Sequence, residues 1–351
     1  MIELAGAFGL GDLASWRALG DGHIHDTLLL ECDGGRFVLQ RLNAAVFPDL
    51  DALLENAVRI TEHLRAGLLA RGAPDVERRV LGLLRTSDGA LCHRDAGGEA
   101  WRCTAYIEGS VSRSQARGPE DAHTAARAFG VFARALGDLE PPPVVTLPGF
   151  HDLPGRRAEL ESALAADAAG RAVAVKKDVT AVFAQCDHLL GEHDLSRLPV
   201  RVVHNDCKLN NLLFDERSGE ALCVVDLDTV MEGSLVYDFG ELTRTASCPA
   251  EEDERDLAKI RVDRSLLTSL TAGYVEGAGD LVTEDERAAL PLAGARLALE
   301  NALRFLADHL AGDVYFRIER AGQNLDRHRA QRRVSACLLS EADTVAAQLR
   351  L

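Results

Sequence analysis

The segment Val202-Val203-His204-Asn205-Asp206-Cys207-Lys208-Leu209-Asn210-Asn211-Leu212-Leu213-Phe214 sets an acid, a lysine two residues on and an amide five residues on between apolar β-type runs. A second apolar run, Ala221 to Val225, delivers Asp226-Leu227-Asp228. Those residue types at that spacing suit phosphoryl transfer, in which positioning and charge neutralisation do most of the work. Asp206 is expected to accept, or at least orient, the proton of an acceptor hydroxyl. Asn211 and Asp226 offer the oxygen ligands that a hard cation such as Mg²⁺ takes. Lys208 either places a positive charge over the transferred group or is an exposed turn lysine. Asp228 is either a second metal ligand or a cap. His204 reads as a brace for the loop, and Cys207 as a buried or solvated thiol rather than a reactive one.

A rival acid lies in Tyr237-Asp238-Phe239-Gly240. Spacing separates the two: Asp226 follows Asp206 by 20 residues, across one hairpin with Asp215 to Glu220 as its turn, whereas Asp238 follows by 32. Asp226 is therefore the expected metal acid. Asp238 is expected to be a buried carboxylate that ties a helix to the catalytic loop.

These groups need a scaffold. Thr27 to Glu31 and Arg36 to Leu42 read as strands joined by the hairpin signal Asp33-Gly34-Gly35. Phe47 to Leu69 has helical spacing, with Pro48 and Asp49 at its start. Val80 to Thr86 and Ala100 to Ile107 read as another strand pair. Glu108-Gly109-Ser110 is a candidate linker, which gives an N-terminal part, 1–108, and a C-terminal part, 109–351. Beyond the linker the pattern is helical at about 119–137, 156–166, 172–193, 236–247, 254–278, 284–311 and 325–349, apart from the β region that carries the motif. The proline-rich stretch Glu140 to Pro154 is expected to be an ordered loop.

A nucleotide needs further contacts. Gly20-Asp21-Gly22-His23 is a turn whose backbone N–H groups could approach phosphates, with Gly20, Gly22, His23 and Thr27 in the set. The strand 36–42 is where a basic residue should face the phosphates. By register Gln40 takes that place and Arg41 faces the other way, unless the register slips by one. Asn56 falls where a helix glutamate would pair with the base, so a neutral Gln40–Asn56 pair is expected. The strand end at Tyr106 and Ile107 is expected to present backbone groups to adenine.

Acidic residues outnumber basic ones, 55 to 39, for a net charge of −16. That argues against nucleic acid or an anionic membrane as partner. The eight cysteines form no C-x-x-C pair, so neither a zinc cluster nor a disulfide framework is indicated. No signal peptide and no apolar run of membrane-spanning length are read, and a cytoplasmic location is expected. Whether the chain is a monomer or a dimer is not legible.

A small β-rich lobe, a linker and a helical lobe carrying His204-x-Asp206, Asn211 and Asp226 resemble the aminoglycoside phosphotransferase superfamily. Finer segments resemble its N-acetylhexosamine 1-kinase branch: Gly22 to Thr27, Phe37 to Asn43, Thr61 to Leu64, Asn210-Asn211, Cys223 to Met231, Leu303 to Leu306 and Gly312 to Phe316. His25 departs from the branch, which usually has asparagine there. The resemblance implies an α+β, bilobal protein-kinase-like fold: a small antiparallel-sheet N-lobe with one main helix, and a larger, mainly helical C-lobe. It implies ATP and Mg²⁺ as cofactors and the anomeric hydroxyl of an N-acetylhexosamine as acceptor. Another acceptor (amino sugar, aminoglycoside, polyol or amino alcohol) stays open, as does a pseudokinase; a metal phosphohydrolase using His204, Asp206, Asp226 and Asp228 is a third reading. For the acceptor pocket the candidates are Arg304, Asp313 and Tyr315, each with a structural ion pair as its alternative. His151 is a weaker candidate for the rim.

Overall fold

The computed structural model describes residues 1–20, 24–192 and 194–350. The chain forms two compact units: Met1–Val111 with Asp138–Leu147 and Leu213–Met231, and Ser112–Gly137 with Pro148–Leu212 and Glu232–Leu351. The boundary expected near residue 108 falls at Val111, and two later segments belong to the first unit.

The first unit begins with helix α1 (Ile2–Ala7) and strand β1 (Leu13–Ala18), neither of which was read from the sequence. Strands β2 (Asp26–Cys32) and β3 (Gly35–Arg41) follow as the expected hairpin, with Cys32 opposite Gly35. Helix α2 (Leu50–Ala70) starts where Asp49 caps it, accepting the Ala52 N–H at 2.9 Å. After the short α3 (Val76–Arg79) come β4 (Leu83–Leu84), β5 (His93–Arg94) and β6 (Ala100–Ala105). The strand expected over 80–86 is thus only two residues long. The sheet is antiparallel in the order β1-β2-β3-β6-β4, with β5 also on β6. Alternation decides its faces. Leu30, Leu39, Trp101 and Cys103 pack under α1 against Leu4, Ala5 and Phe8. Gln40 stands on the other face, in register with Thr27 and Arg102.

Strand β7 (Ser110–Ser112) ends this stretch. The second unit then supplies α4 (Pro119–Ala135), α5 (Leu153–Ala166), α6 (Lys176–Glu192) and β8 (Arg201–Val203). Next, β9 (Leu212–Asp215) and β10 (Ala221–Val224) make the hairpin that leads to Asp226, in a sheet ordered β10-β9-β7. This hairpin joins the first unit because Leu222, Cys223 and Leu213 pack on Ile107 and Leu81. Arg78 adds an ion pair to Asp215 at 2.9 Å. Segment 138–147 joins it as well. Its Val144 backbone takes both amide groups of Asn56, at 2.8 and 2.9 Å, and Leu147 packs on Phe47 and Leu50.

After β11 (Met231–Gly233), paired with β8, the chain is helical: α7 (Leu235–Ala246), α8 (Arg264–Ala278), α9 (Glu284–Ala289), α10 (Ala293–Ala311), α11 (Gln323–Ser340) and α12 (Ala342–Leu349). Three expected helices differ, one of them the span 325–349, which is divided at Glu341 into α11 and α12. The span 254–278 is helical only from Arg264, where Asp263 caps it by accepting the Ser265 N–H at 2.9 Å. The span 284–311 is broken by a 3₁₀ turn, Leu290–Leu292, because Pro291 cannot donate a backbone hydrogen bond. Helices α4 and α8 cross on glycine. A Cβ at Gly273 would stand 2.3 Å from the His123 carbonyl oxygen, and one at Gly130 2.4 Å from that of Tyr274. No described helix is long and apolar enough to cross a membrane.

Candidate active site

In the second unit the motif loop leaves β8 and is held from several sides. His204 is fully buried, with its ring edge-on to Phe129 at 5.7 Å and tilted to Phe132 at the same distance. Its Nδ1 accepts the Asp206 N–H at 3.3 Å. Asn205 takes a left-handed φ of 63°. Asp238, in the first turn of α7, accepts the N–H groups of His204 at 3.2 Å and Asn205 at 2.7 Å, and the Cys207 thiol also bonds to it. The Asp-Phe-Gly acid therefore ties α7 to the loop, as its spacing foretold. Burial pushes its pKa up, against the pull of His204 and the donated bonds. Cys207 is fully buried and its thiol is pushed well above the usual range by that burial and by Asp238.

Asp206, Lys208 and Asn211 close on one another. Lys208 Nζ lies 2.7 Å from Asp206 Oδ1. Asn211 Nδ2 donates to the Asp206 carbonyl at 2.9 Å and to its Oδ2 at 3.1 Å. Both partners are acceptors, so the amide nitrogen must face them and Asn211 Oδ1 is turned away. Burial raises the Asp206 pKa, but the Lys208 ammonium outweighs it and the group is held below its ordinary value. Lys208 is raised in turn: Asp206 and Glu241 outweigh the burial that lowers it. Behind it on α7, Glu241 and Arg244 form a buried ion pair, with Arg244 Nη1 donating to Gln331 at 3.0 Å.

In the first unit, Asp226 follows β10 at the head of a 3₁₀ turn, Leu227–Thr229, in the left-handed region at φ 60°, and is exposed. Asp228 is different. It is 3% exposed, takes both terminal nitrogens of Arg102, the Nη2 bond at 2.8 Å, and accepts from His25 Nε2 at 2.8 Å. Burial raises its pKa, yet Arg102 and His25 carry it far below the usual carboxylate range. The expectation that Asp228 is a metal ligand is thereby corrected, because its oxygens are spent on an internal ion pair. Gln40 belongs to the same cluster: it accepts from Arg102 Nε at 2.9 Å and donates to Thr27 Oγ1 at 3.1 Å. The expected Gln40–Asn56 pair is not formed, since Asn56 is committed to Val144. Arg41 faces away, paired with Asp26 and 3.9 Å from Glu99. Sequence reasoning missed Arg102. The signal was an arginine at a buried strand position, which needs a carboxylate.

Gly20 has φ 72°, and a Cβ added there would meet none of the described residues within 4 Å. Gly22 and His23 lie outside the described residues. Ile107 is buried in the hairpin core and its carbonyl accepts from Ser110 Oγ at 2.6 Å. The Tyr106 N–H is used by Arg36, whose guanidinium also lies 4.4 Å from the Tyr106 ring centre.

The three acceptor candidates sit together at the end of α10 but differ in kind. Asp308 builds the loop there, accepting the N–H groups of Val314, Tyr315 and Phe316 at 2.9, 2.8 and 3.0 Å. It was not singled out by sequence. Asp313 is consumed internally: Arg171 Nη1 donates to it at 2.6 Å and Asn324 Nδ2 at 3.0 Å, and its side chain is 5% exposed. Its expected place against an acceptor is corrected for that reason. Arg304 has no carboxylate partner among the described residues. It donates weakly to Asn301 at 3.4 Å and lies 5.9 Å from the Tyr315 ring and 5.3 Å from that of Phe316. Tyr315 is 66% exposed.

Comparison with known proteins bears on the same elements. A family model described as the phosphotransferase enzyme family matches residues 15–279. Among solved structures, the microcompartment-associated aminopropanol kinase is similar at TM-score 0.64 and 16% identity, covering 98% of each chain. A choline/ethanolamine kinase family protein from Mesorhizobium loti is similar at 0.58 and 18%, covering 99% of this chain and 97% of that one. Spectinomycin phosphotransferase, in complex with ADP and spectinomycin, is similar at 0.60 and 11%, with the same coverage. At these identities the likeness is one of fold, and the fold is α+β and kinase-like. By the family match, the chain belongs to the phosphotransferase enzyme family and is an enzyme that phosphorylates a hydroxyl group.

Proposed function

We propose that the enzyme transfers the γ-phosphate of ATP to the anomeric hydroxyl of an N-acetylhexosamine, giving the sugar 1-phosphate. The observation that carries the reading is the Asp206 carboxylate, held ionised by Lys208 and Asn211 inside a loop braced by Asp238. A base of depressed pKa is weak, and an anomeric hydroxyl is more acidic than an ordinary alcohol, so a weak base suffices. Asp206 orients that hydroxyl and receives its proton, a contribution of about 10²–10⁴-fold in rate. Lys208 keeps the carboxylate ionised and offers its remaining N–H groups to phosphoryl oxygens.

By their types and spacing in the sequence, Asn211 and Asp226 would hold Mg²⁺. The fit rests on their donors: the Asn211 amide oxygen is turned away from Asp206, and Asp226 is exposed. Mg²⁺ takes few protein ligands and completes its shell with phosphate and water, neutralising phosphate charge when bound. For adenine, the Tyr106 carbonyl and the Glu108 N–H lack hydrogen-bond partners among the described residues. The sugar assignment draws on the branch resemblance, and Arg304 supports it. A half-buried guanidinium with no acid partner among the described residues suits a neutral acetamido oxygen and disfavours an ammonium, which counts against amino alcohols and aminoglycosides as acceptors.

ADP release measured over a panel of sugars, amino sugars and amino alcohols, with NMR to locate the new phosphate, tests the reading. N-acetylglucosamine and N-acetylgalactosamine should be far better acceptors than glucose and galactose, because a site built to pair a polar substituent is left unpaired without it. Efficient turnover of a free amino sugar with N-acetylated sugars inert would overturn the acceptor and leave the kinase chemistry standing.

A further inference from the structure

Two buried charged groups of the second unit have no part in the chemistry above. His151 and Glu300 have side chains only 7% and 3% exposed. His151 Nε2 lies 2.7 Å from the Asn205 carbonyl oxygen, and its Nδ1 lies 3.1 Å from Glu300 Oε1. A carbonyl and a carboxylate only accept, so both ring nitrogens must carry hydrogen and the ring is an imidazolium. Asn205 is the left-handed residue before Asp206, and Asp238 already takes its N–H at 2.7 Å. The peptide groups leading into Asp206 are thus gripped at both ends, by a carboxylate on the N–H and an imidazolium on the carbonyl.

We propose that His151, paired with Glu300, is a positioning residue that fixes the backbone of Asn205 and thereby the aim of the Asp206 carboxylate. This rests on Asp206 being the base. His151 was expected at the rim of the acceptor pocket; the structure puts it against the catalytic loop, with its ring tilted against those of Tyr237 at 5.0 Å and Phe150 at 4.6 Å. The charged and titratable groups around it are Glu300 and Arg296 from α10, Tyr237 and Glu241 from α7, and Asp152 beside it. Burial works against its charge, but Glu300 and the Asn205 carbonyl outweigh that and hold His151 above the ordinary histidine value. Both ring bonds are therefore present below that raised pKa, and as pH rises through it the ring keeps one N–H for two acceptors, so the grip on Asn205 weakens.

The test uses the full chain and two variants, Glu300→Gln and His151→Gln. It reads ADP-release kinetics against pH and amide hydrogen exchange over residues 203–208. Glu300→Gln keeps an acceptor oxygen but removes the anion, so the alkaline fall in kcat should move toward neutral pH. His151→Gln should lower kcat by about 10- to 100-fold with KM for ATP nearly unchanged, the scale of a misaimed catalytic group. Both variants should speed exchange of the Asn205 and Asp206 amides without a general rise elsewhere in the unit. Should His151→Gln fail to fold, Glu300→Gln alone decides. An unmoved alkaline limb together with unchanged exchange at 204–206 overturns the proposal. Absence of ADP release from the wild type with every acceptor would sink the kinase reading instead, and the exchange measurement still decides whether His151 holds the loop.

Discussion

Asp238→Asn exchanges one carboxylate oxygen for an NH₂ group at a position with no solvent exposure. The native oxygens accept the His204 N–H at 3.2 Å and the Asn205 N–H at 2.7 Å, with the Cys207 thiol as a third donor. Asparagine offers one acceptor, so a backbone donor is left facing another donor with no water to relieve it. A buried donor left unpaired costs about 1–3 kcal/mol. In a unit of about 200 residues each kcal/mol moves the melting temperature by about 2–4 °C, which sets the expected fall at about 2–12 °C. Far-UV circular dichroism is the assay, because the helices belong largely to the second unit. Tryptophan fluorescence is blind to it: Trp16 and Trp101 both lie in the first unit. Asp226→Asn is the comparison, since Asp226 is exposed and its substitution should lower the melting temperature less. If Asp238→Asn melts within 1 °C of the wild type, or if Mg²⁺ is found bound to Asp238, the assignment of the two acids is wrong.

Tryptophan fluorescence is instead the probe for Arg102→Met, which leaves the buried Asp228 charge with only its His25 bond and should cost up to about 3–5 kcal/mol in urea unfolding. Adding Asp228→Asn should recover part of that loss, and strictly additive losses would refute the pairing. The folded-state pKa of Asp228 is depressed, so its contribution is present above the unfolded value and fades as pH falls through the folded one; the gap between wild type and Arg102→Met should shrink in acid. Asp206→Asn should abolish turnover while Mg²⁺-ATP still binds by calorimetry, whereas Asp226→Asn should weaken that binding; wild-type affinity in both would refute their separate roles. Because Asp206 is held below the ordinary value of 3.8, kcat/KM should show no acid limb from it until pH falls below that value; a limb from this residue near pH 6 would contradict the Lys208 pairing.

What was legible in the sequence was local. The β2–β3 hairpin announced itself by Asp33-Gly34, helix α2 by its Asp49 cap, and the catalytic loop by spacing alone. Asp238 could be told from Asp226 because hairpin length is a local quantity. What failed depended on pairings across long stretches of chain. Asn56 was matched to Gln40 by position along the elements, but a segment 88 residues away claims both of its amide groups. For Asp228 a metal ligand or a cap, and for Asp313 an acceptor contact or a structural ion pair, stayed open because residue type alone fits either. Their partners Arg102 and Arg171 come from strand register and loop packing that no nearby residue encodes. The acidic run Glu251 to Glu254 carries helical formers, yet like charges at close helical spacing oppose a helix, and α8 waits for Asp263.

The buried thiol of Cys207 makes the catalytic loop its own reporter. All eight cysteines are free, and Cys32, Cys92 and Cys337 are partly accessible while Cys207 is not. An alkylating reagent applied to the folded enzyme should therefore spend itself on those three first. Cys207 reacts only in molecules whose loop has swung open, so its labelling rate, read by mass spectrometry of one peptide, gives the free energy of that local opening. Adding nucleotide, then sugar, and watching that rate slow would reveal which ligand clamps the loop, without any need to observe turnover.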